Sequence, residues 1–558
     1  MRDLPILEST PLMSKRPLEM GRPVILIGFQ NQGNLGIGYL AAVLREAGYD
    51  VKVLDFEQDP ALILQAIRAL DPVLVGFSLI FQFYINKFKS LMEYLRENGV
   101  DCHFTMGGHF PSLSYDHTLE LAPQLDSVVR FEGEITLLEL VSRISSGNDW
   151  KDLKGLAYRD PTAGVIANDL RPLVENLDSL PLPDREFRPM SVLGCDIIPL
   201  IASRGCSRTC SFCSIHTFYR AVPGKIVRLR KTVNVVDEMR MLYDDRGARI
   251  FLFQDDDFPI VGPVWRRWTL DLVDQLYKRD LVGRVIWKIN ARADVIEAEL
   301  FSTLRDAGLY MVYMGLESGS EEGLSVLNKG LTVEQNITAV ETLKSIDLKY
   351  QYGFMLFDPS SSFNSIRENI GFLRRIAGDG SVAATFCRML PYDGTAIKTQ
   401  LGLEGRLRGD VTDPDYDFLD PRLDGLFRNV NETLKIVGWI HGMSSVSPQL
   451  DWAWHEVAVA ERIFYGLSGL EFYKSKLLAI TAEANEALFH LVEEMASTHE
   501  HGNRFNVDTV EMEAKCKHLL DRMLNARDEF VYNNQARILE ELGVTVEGQE
   551  YLSEMAAA

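Results

Sequence analysis

Short apolar runs alternate with amphipathic helical patterns twice along this chain, and that alternation restricts its fold more than any other feature. The first series begins with the run at residues 24–28. A helical pattern follows, with Leu35, Tyr39, Leu40, Val43 and Leu44 on one face and Gly48 past its end. Further runs stand at residues 51–54, 73–77, 102–106 and 128–131. Strands alternating with helices predict a parallel, doubly wound (Rossmann-like) α/β sheet whose ligands sit at the strand carboxyl ends. The second series has runs at 197–200, 250–253, 285–289, 311–314, 352–356 and 384–386. Six strand–helix units predict a partial parallel (β/α)6 barrel, again with its chemistry at the carboxyl ends. Between the two, Leu180-Pro181-Leu182-Pro183-Asp184-Arg185 reads as an extended connector. Past Gly405 the strand signal fades, and residues 424–545 are mostly helical. The expected division is an arm at 1–20, a first domain at 21–149, a linker at 150–190, the barrel at 191–405 and a helical domain at 406–558.

At 558 residues the chain is too long for a single core, given ~150 residues per domain. It carries 79 acidic against 58 basic residues, a net charge of −21, which repels phosphate backbones and argues against nucleic acid as partner. The longest apolar stretch, residues 73–85, is interrupted by Gln82 and falls short of the ~18 residues of a membrane span. The first twenty residues are polar and Pro-broken, unlike a secretory signal, so a cytoplasmic setting is expected. Seven cysteines is an odd count, and three of them, Cys206, Cys210 and Cys213, crowd into eight positions. That pattern points to a metal site in a reducing compartment rather than to a disulfide framework.

The triad follows directly on the first strand of the second series, within Arg204-Gly205-Cys206-Ser207-Arg208-Thr209-Cys210-Ser211-Phe212-Cys213. Closely spaced thiols on one loop can converge, and thiolate is the ligand that iron–sulfur clusters require. Three thiolates on a four-iron cluster leave one iron open to another ligand. The alternative is zinc, with His216 completing a Cys₃His set.

The cysteine spacing, the aromatic Phe212 before the last cysteine and the position after the first barrel strand resemble the radical S-adenosylmethionine (SAM) superfamily. The resemblance implies a [4Fe–4S] cluster on Cys206, Cys210 and Cys213 and a SAM site at the later strand ends. Gln254-Asp255-Asp256-Asp257 follows the second strand, where such enzymes face the SAM methionine amine. Asn290-Ala291-Arg292-Ala293-Asp294 closes the third, and Arg292 there suits a carboxylate. Gly315-Leu316-Glu317-Ser318 closes the fourth, with Glu317 and Ser318 placed for the ribose or methionine moiety. Taken singly, Asp255 and Asp256 fit a solvated turn, Arg292 a structural ion pair and Glu317 a helix cap.

A doubly wound domain ahead of such a barrel resembles the cobalamin-binding subclass of radical SAM enzymes. Ser78 after the third strand, Gly107, Gly108 and His109 after the fourth, and Glu132 and Gly133 after the fifth carry the match. Glycines there let backbone approach a large ligand. The Asp-x-His-x-x-Gly motif of better-known cobalamin domains is replaced by Asn31-Gln32-Gly33-Asn34-Leu35-Gly36, so cobalamin held without a histidine ligand is expected. A scaffold that binds no cofactor is the alternative. The methylthiotransferases that modify tRNA resemble the barrel too, but they carry three further cysteines in the first domain, where this chain has only Cys102.

The resemblance implies reductive cleavage of SAM to a 5′-deoxyadenosyl radical and methyl transfer from cobalamin to an unactivated carbon of a small molecule. An electron donor such as flavodoxin or ferredoxin is implied as partner. The runner-up keeps both cofactors and replaces methylation with cyclisation, ring rearrangement or oxidation; a non-enzymatic zinc or iron–sulfur module is a more distant alternative. In the helical region Trp439, Trp452, Trp454, Phe464, Tyr465 and Tyr473 are either a cavity wall or core, and helical spacing favours core. Cys387 and Cys516 are expected to be buried small hydrophobes.

Overall fold

Strand β1 (Val24–Gly28) is five buried residues in a row, as a strand covered on both faces must be. In the computed structural model, which describes residues 21–30, 33–503 and 508–543, it lies inside the first sheet, one strand in from the edge. The arm at 1–20, Asn31 and Gln32 of the first turn, and residues 544–558 of the helical region lie outside the described residues. β1 pairs in parallel with β2 (Val51–Asp55) and β3 (Leu74–Ser78). β4 (His103–Gly107) and β5 (Ser127–Val129) continue the sheet beyond β3 in the order 2-1-3-4-5. This is the flavodoxin-like order, which collects the loops after β3, β4 and β5 along one carboxyl edge.

The region expected to be a linker is largely structured. β6 (Leu156–Asp160) adds antiparallel to β5, and β7 (Gly164–Ala167) adds to β6. Asp160 Oδ1 accepts hydrogen bonds from Thr162 N (2.9 Å) and Ala163 N (3.0 Å), and Gly164 takes a φ of +77°, so a tight turn joins the two. Residues 179–187 also belong to this first unit. Asp184 N donates to Gly38 O at 3.0 Å, and Arg45 pairs with the Asp184 carboxylate.

The second unit comprises residues 172–178 and 188 onward. Its strands are β8 (Ser191–Val192), β9 (Cys195–Leu200), β10 (Ser203–Arg204), β11 (Arg228–Leu229), β12 (Ile250–Phe253), β13 (Ile286–Ala291), β14 (Leu309–Glu317), β15 (Lys349–Phe357) and β16 (Cys387–Arg388). The main sheet runs 16-15-14-13-12-9-8; β9 and β12 to β16 are all parallel, a six-stranded partial barrel, and only β8 is antiparallel. β10 and β11 form a separate short ribbon. The sixth strand starts at Cys387, just past the run expected to form it. The cause is local: Ala384 N donates to Asn485 Oδ1 (2.7 Å) and Asn485 Nδ2 to Val382 O (2.9 Å), which draws residues 382–384 onto a helix.

That helix, Leu470–Glu500, packs with Pro421–Ile436, Val446–Ile463 and Thr509–Glu541. Expected as a separate domain, these helices share one continuous hydrophobic core with the barrel. Tyr310 Oη meets His455 Nε2 at 2.7 Å, and Gln351 Nε2 donates to Asp451 Oδ2 at 2.6 Å while its Oε1 accepts from Lys288 Nζ. Trp439, Trp454, Phe464 and Tyr473 are buried in this core, Trp452 is half-buried and Tyr465 is exposed. Cys516 is buried as expected, but Cys387 is not: it sits on the two-residue edge strand with Sγ 3.5 Å from Phe354 O, open to solvent.

Arg388, next along β16, fastens the barrel edge to the helices. Its guanidinium stacks over Tyr416 (4.2 Å), Phe427 (4.3 Å) and Phe418 (4.6 Å) and pairs with Asp415 at 2.8 Å. Arg388→Ala would leave three rings around an empty slot, and a loss of about 2–4 kcal/mol is expected. Urea denaturation checks this; a midpoint equal to wild type would show the stack to be inert.

Candidate active site

The cysteine loop is built by its backbone and by two carboxylates. Leaving β9, the chain turns into β10, and the turn is pinned by Asp255: Ala202 N donates to it at 3.1 Å and Ser203 Oγ donates as well. Burial pushes the Asp255 carboxyl up to about 7. Asp256 Oδ2 accepts from Gly205 N at 2.8 Å. Gly205 has a φ of +90°, and a Cβ there would overlap Ile226 O, so only glycine fits. Both carboxylates therefore shape the loop that precedes Cys206.

Cys206, Cys210 and Cys213 follow as free, half-buried thiols, with Cys213 opening the helix Ser214–Arg220. Cys213 N donates to Cys210 O at 3.3 Å. Ser211 N donates to Leu327 O (2.9 Å), Ile397 N to Ser211 O (3.1 Å) and Asn328 Nδ2 to Thr209 O (2.7 Å), so the loop is tied to segments beyond β14 and β16. Phe212 packs half-buried against the core. Burial, with Asp257 next, pushes the Cys206 thiol up to about 12, so metal binding must drive its deprotonation. Among the described residues no trio of His, Cys, Asp and Glu is closed into a coordination set, with or without His216. The loop offers three free thiols, the donor chemistry of an iron–sulfur cluster.

Beside the loop, charged groups from successive strand ends form a chain. Arg208 Nε stands 3.9 Å from Asp257 Oδ2, and its Nη2 is 3.4 Å from Asp294 Oδ2. Arg292 Nε donates to Asp294 Oδ1 (3.1 Å) and its Nη2 to Lys329 O (2.8 Å). Lys329 Nζ donates to Glu317 Oε1 at 3.1 Å. Glu317 is aimed by strain and a bulge: its φ is +66°, and the β14–β15 register shifts between Gly315 and Glu317. A Cβ on Gly315 would overlap Glu317 Oε1, and one on Gly353 would lie 2.5 Å from Tyr313 Oη, so two neighbouring glycines hold a space open. Ser318 is fully buried, its Oγ 3.1 Å from Asn369 Oδ1.

Two atoms of this chain, Arg208 Nε and Asp257 Oδ2, are buried with no hydrogen-bond partner among the described residues. Burial pushes Asp257 up to about 6 against the pull of Arg208, Arg292 and Lys329. A guanidinium and a carboxylate left short of each other fit the carboxylate and ammonium of an amino-acid head group, as SAM carries. None of Arg208, Asp257, Asp294 and Lys329 was an expected site residue from the sequence, although an arginine between two clustered cysteines is itself a signal.

In the first unit the expected residues lie on adjoining loops. Ser78 ends β3, and Leu79 N then donates to Gly107 O at 2.8 Å. Gly108 has a φ of +114°, and a Cβ on it would overlap Leu79 O. Gly107 backs onto Val129 O, and Gly133 onto Leu40 and Val129. Gly108 is thus demanded by loop-on-loop packing, while Gly107 and Gly133 are closely backed by their neighbours. His109 opens the helix His109–Leu113, and burial pushes its imidazole down to about 4, leaving it neutral. Glu132 is half-buried, while Met106 and Phe110 pack beneath. Ile80, Phe81 and Phe83 are each about two-fifths exposed, with the two rings stacked at 5.4 Å. A partly exposed apolar ridge beside a glycine-built edge suits a flat macrocycle. A separate cavity of about 780 Å³, lined by Phe29, Phe56, Lys87 and Tyr94 among others, includes none of the expected residues.

Comparison with known proteins agrees with this division. Residues 29–141 match the B12 binding domain and residues 200–373 the radical SAM superfamily. The chain is a cobalamin-binding radical SAM enzyme; its cofactors are SAM, a [4Fe–4S] cluster and cobalamin. It is 28% identical over 370 residues to an uncharacterized methyltransferase of Pyrococcus horikoshii, covering 65% of this chain and 77% of that one. It is 30% identical over 355 residues to the anaerobic magnesium-protoporphyrin IX monomethyl ester cyclase of Rubrivivax gelatinosus, 61% of each chain. The fold matches that of the cobalamin-dependent S-adenosylmethionine radical enzyme OxsB with aqua-cobalamin bound, with a TM-score of 0.68 at 18% identity, over 94% of this chain and 81% of that one. Among the described residues no helix is long and apolar enough to cross a membrane.

Proposed function

We propose that this chain methylates an unactivated carbon of a small-molecule substrate. The observation that supports it best is the joining of a B12-binding and a radical SAM domain in a chain 28% identical to a methyltransferase. When bound, the cofactors supply one-electron cleavage of SAM and a transferable methyl group. The protein's part is to hold and orient them. Cys206, Cys210 and Cys213 are the cluster ligands in this reading, with Phe212 packed behind the last and with Asp255 and Asp256 fixing the loop. Arg208 and Arg292 face the SAM carboxylate and Asp257 its ammonium. Glu317, steadied by Lys329, accepts from the ribose hydroxyls, and Ser318 buttresses that turn. Ser78, Gly107, Gly108, His109, Glu132 and Gly133 cradle cobalamin within residues 21–149, without a histidine on cobalt. Residues 191–405 form the catalytic barrel, and the described helices of the 406–558 domain close its side. The setting is a reducing cytoplasm, without nucleic acid as partner.

Cyclisation is the second reading, favoured by the 30% identity to the cyclase. Anaerobic turnover with methyl-deuterated SAM decides between them: labelled methyl in the product supports methylation, and loss of substrate hydrogens without label supports cyclisation. For the SAM site, Asp257→Asn keeps the shape and removes the charge. It is expected to weaken SAM binding roughly 10–100-fold with iron content unchanged. Equal affinity in equilibrium dialysis would remove Asp257 from the site.

A further inference from the structure

The cysteine loop lies in a strongly basic stretch of an acidic chain. Between Asp196 and Asp237 stand seven Arg and Lys residues and no acidic one, while the whole chain has a net charge of −21. Four of the seven are engaged. Arg208 reaches Asp294, Arg230 pairs with Glu238 at 2.6 Å, Arg228 donates to Val174 O at 2.9 Å, and Arg204 faces the charge of Asp256. The other three, Arg220, Lys225 and Lys231, are exposed and have no ion-pair partner among the described residues.

These three lie on the segments that lead away from the loop and return beside its entry. Arg220 ends the helix that Cys213 opens. Lys225 precedes Ile226, whose carbonyl lies against Gly205, the neighbour of Cys206. Lys231 follows β11, which pairs with β10 at the entry to the loop. The acidic groups facing them come from residues 172–178, packed beside β11, and from Asp271. Asp178 is held by Lys231 N (2.8 Å) and Arg230 (3.8 Å), and Asp271 accepts from Thr232 Oγ1 beside Lys231, so Glu175 and Asp271 are the exposed carboxylates.

We infer that Arg220, Lys225 and Lys231 form a docking collar for an acidic one-electron carrier protein that reduces the cluster. The inference rests on the assignment of the cluster to the three cysteines. A radical SAM enzyme needs a reductant, and a carrier of the same sign as this chain is repelled at long range. Only a local patch of opposite sign, acting within a Debye length of ~8 Å, can orient such a carrier at the loop. One electron leaves the carrier and one enters the cluster, so no bond or proton need move. Three free cations fall short of the ~6–10 phosphate contacts typical of nucleic-acid binders.

The test is stopped-flow reduction of the cluster in the full-length reconstituted protein by flavodoxin hydroquinone. In the triple variant Arg220→Glu, Lys225→Glu, Lys231→Glu the second-order rate should fall roughly 10–100-fold at low ionic strength, with the gap closing in high salt. Glu175→Lys should raise the rate. Reduced methyl viologen, a small cation, should reduce the variant at least as fast as wild type, which shows the cluster intact. An unchanged flavodoxin rate in the triple variant overturns the docking collar while leaving the cluster assignment standing. A wild-type protein that viologen cannot reduce overturns both. Binding of bulk tRNA that the triple variant loses would assign the surface to nucleic acid instead.

Discussion

Cys210→Ala, and likewise Cys206→Ala or Cys213→Ala, should give a folded protein with no iron–sulfur absorbance and SAM cleavage at background. The fold should survive because the thiols do not hold their own loop. Gly205 N on Asp256, Ser211 between Leu327 and Ile397, and Asn328 on Thr209 do that work through backbone bonds that a methyl side chain leaves untouched. Cleavage should vanish because two thiolates cannot replace three, and burial keeps an unmetallated thiol protonated. Iron content, circular dichroism and 5′-deoxyadenosine formation after reduction are the measurements. A variant that retained full cleavage would refute the ligand assignment, and wild type that took up only zinc would refute the cluster.

Gly108→Ala should be nearly as damaging to the other cofactor. The position combines a φ of +114° with a Cβ direction that runs into the Leu79 carbonyl, so strain and overlap coincide. Relief requires the loop after β3 to move, and that loop carries the exposed ridge of Ile80, Phe81 and Phe83. A stability loss of roughly 2–4 kcal/mol is expected, with corrinoid retention reduced more than about tenfold. Gly133→Ala is the control. Its φ is −91°, and its new Cβ would sit 3.3 Å from side-chain atoms of Leu40 and Val129, so little loss of stability is expected, and any corrinoid lost there reports the cradle itself rather than the fold. Corrinoid absorbance after anaerobic reconstitution and desalting reads both variants. Equal retention by Gly108→Ala and wild type would take the ridge out of the cobalamin site.

The two sheets were legible because their strands are covered on both faces and read as unbroken apolar runs. The β6–β7 hairpin was not, because β7 has no fully buried residue to set against the signal of the nearby prolines. Polar residues were located more readily than their tasks. Asp255 and Asp256 stand where a ligand contact was expected, yet their carboxylates bond to the backbone of the cysteine loop. Asp257 has the unmet oxygen. Nothing in three consecutive aspartates tells which one a strand end turns toward a partner. Cys387 escaped for a related reason: burial depends on how far β16 extends, and Asn485, about a hundred residues away, sets that limit.

The continuous core beneath the barrel and its helices bears on how specificity can be exchanged among relatives of this chain. Asp451 on a C-terminal helix completes a hydrogen-bonded line through Gln351 of β15 to Lys288 of β13. Grafting a foreign helical segment onto this barrel would strand a half-buried ammonium and amide unless the donor brought a carboxylate to the same place. Recombination should therefore succeed with breakpoints in the connector ahead of β8, inheriting barrel and helices as one block, and should fail with breakpoints near residue 405.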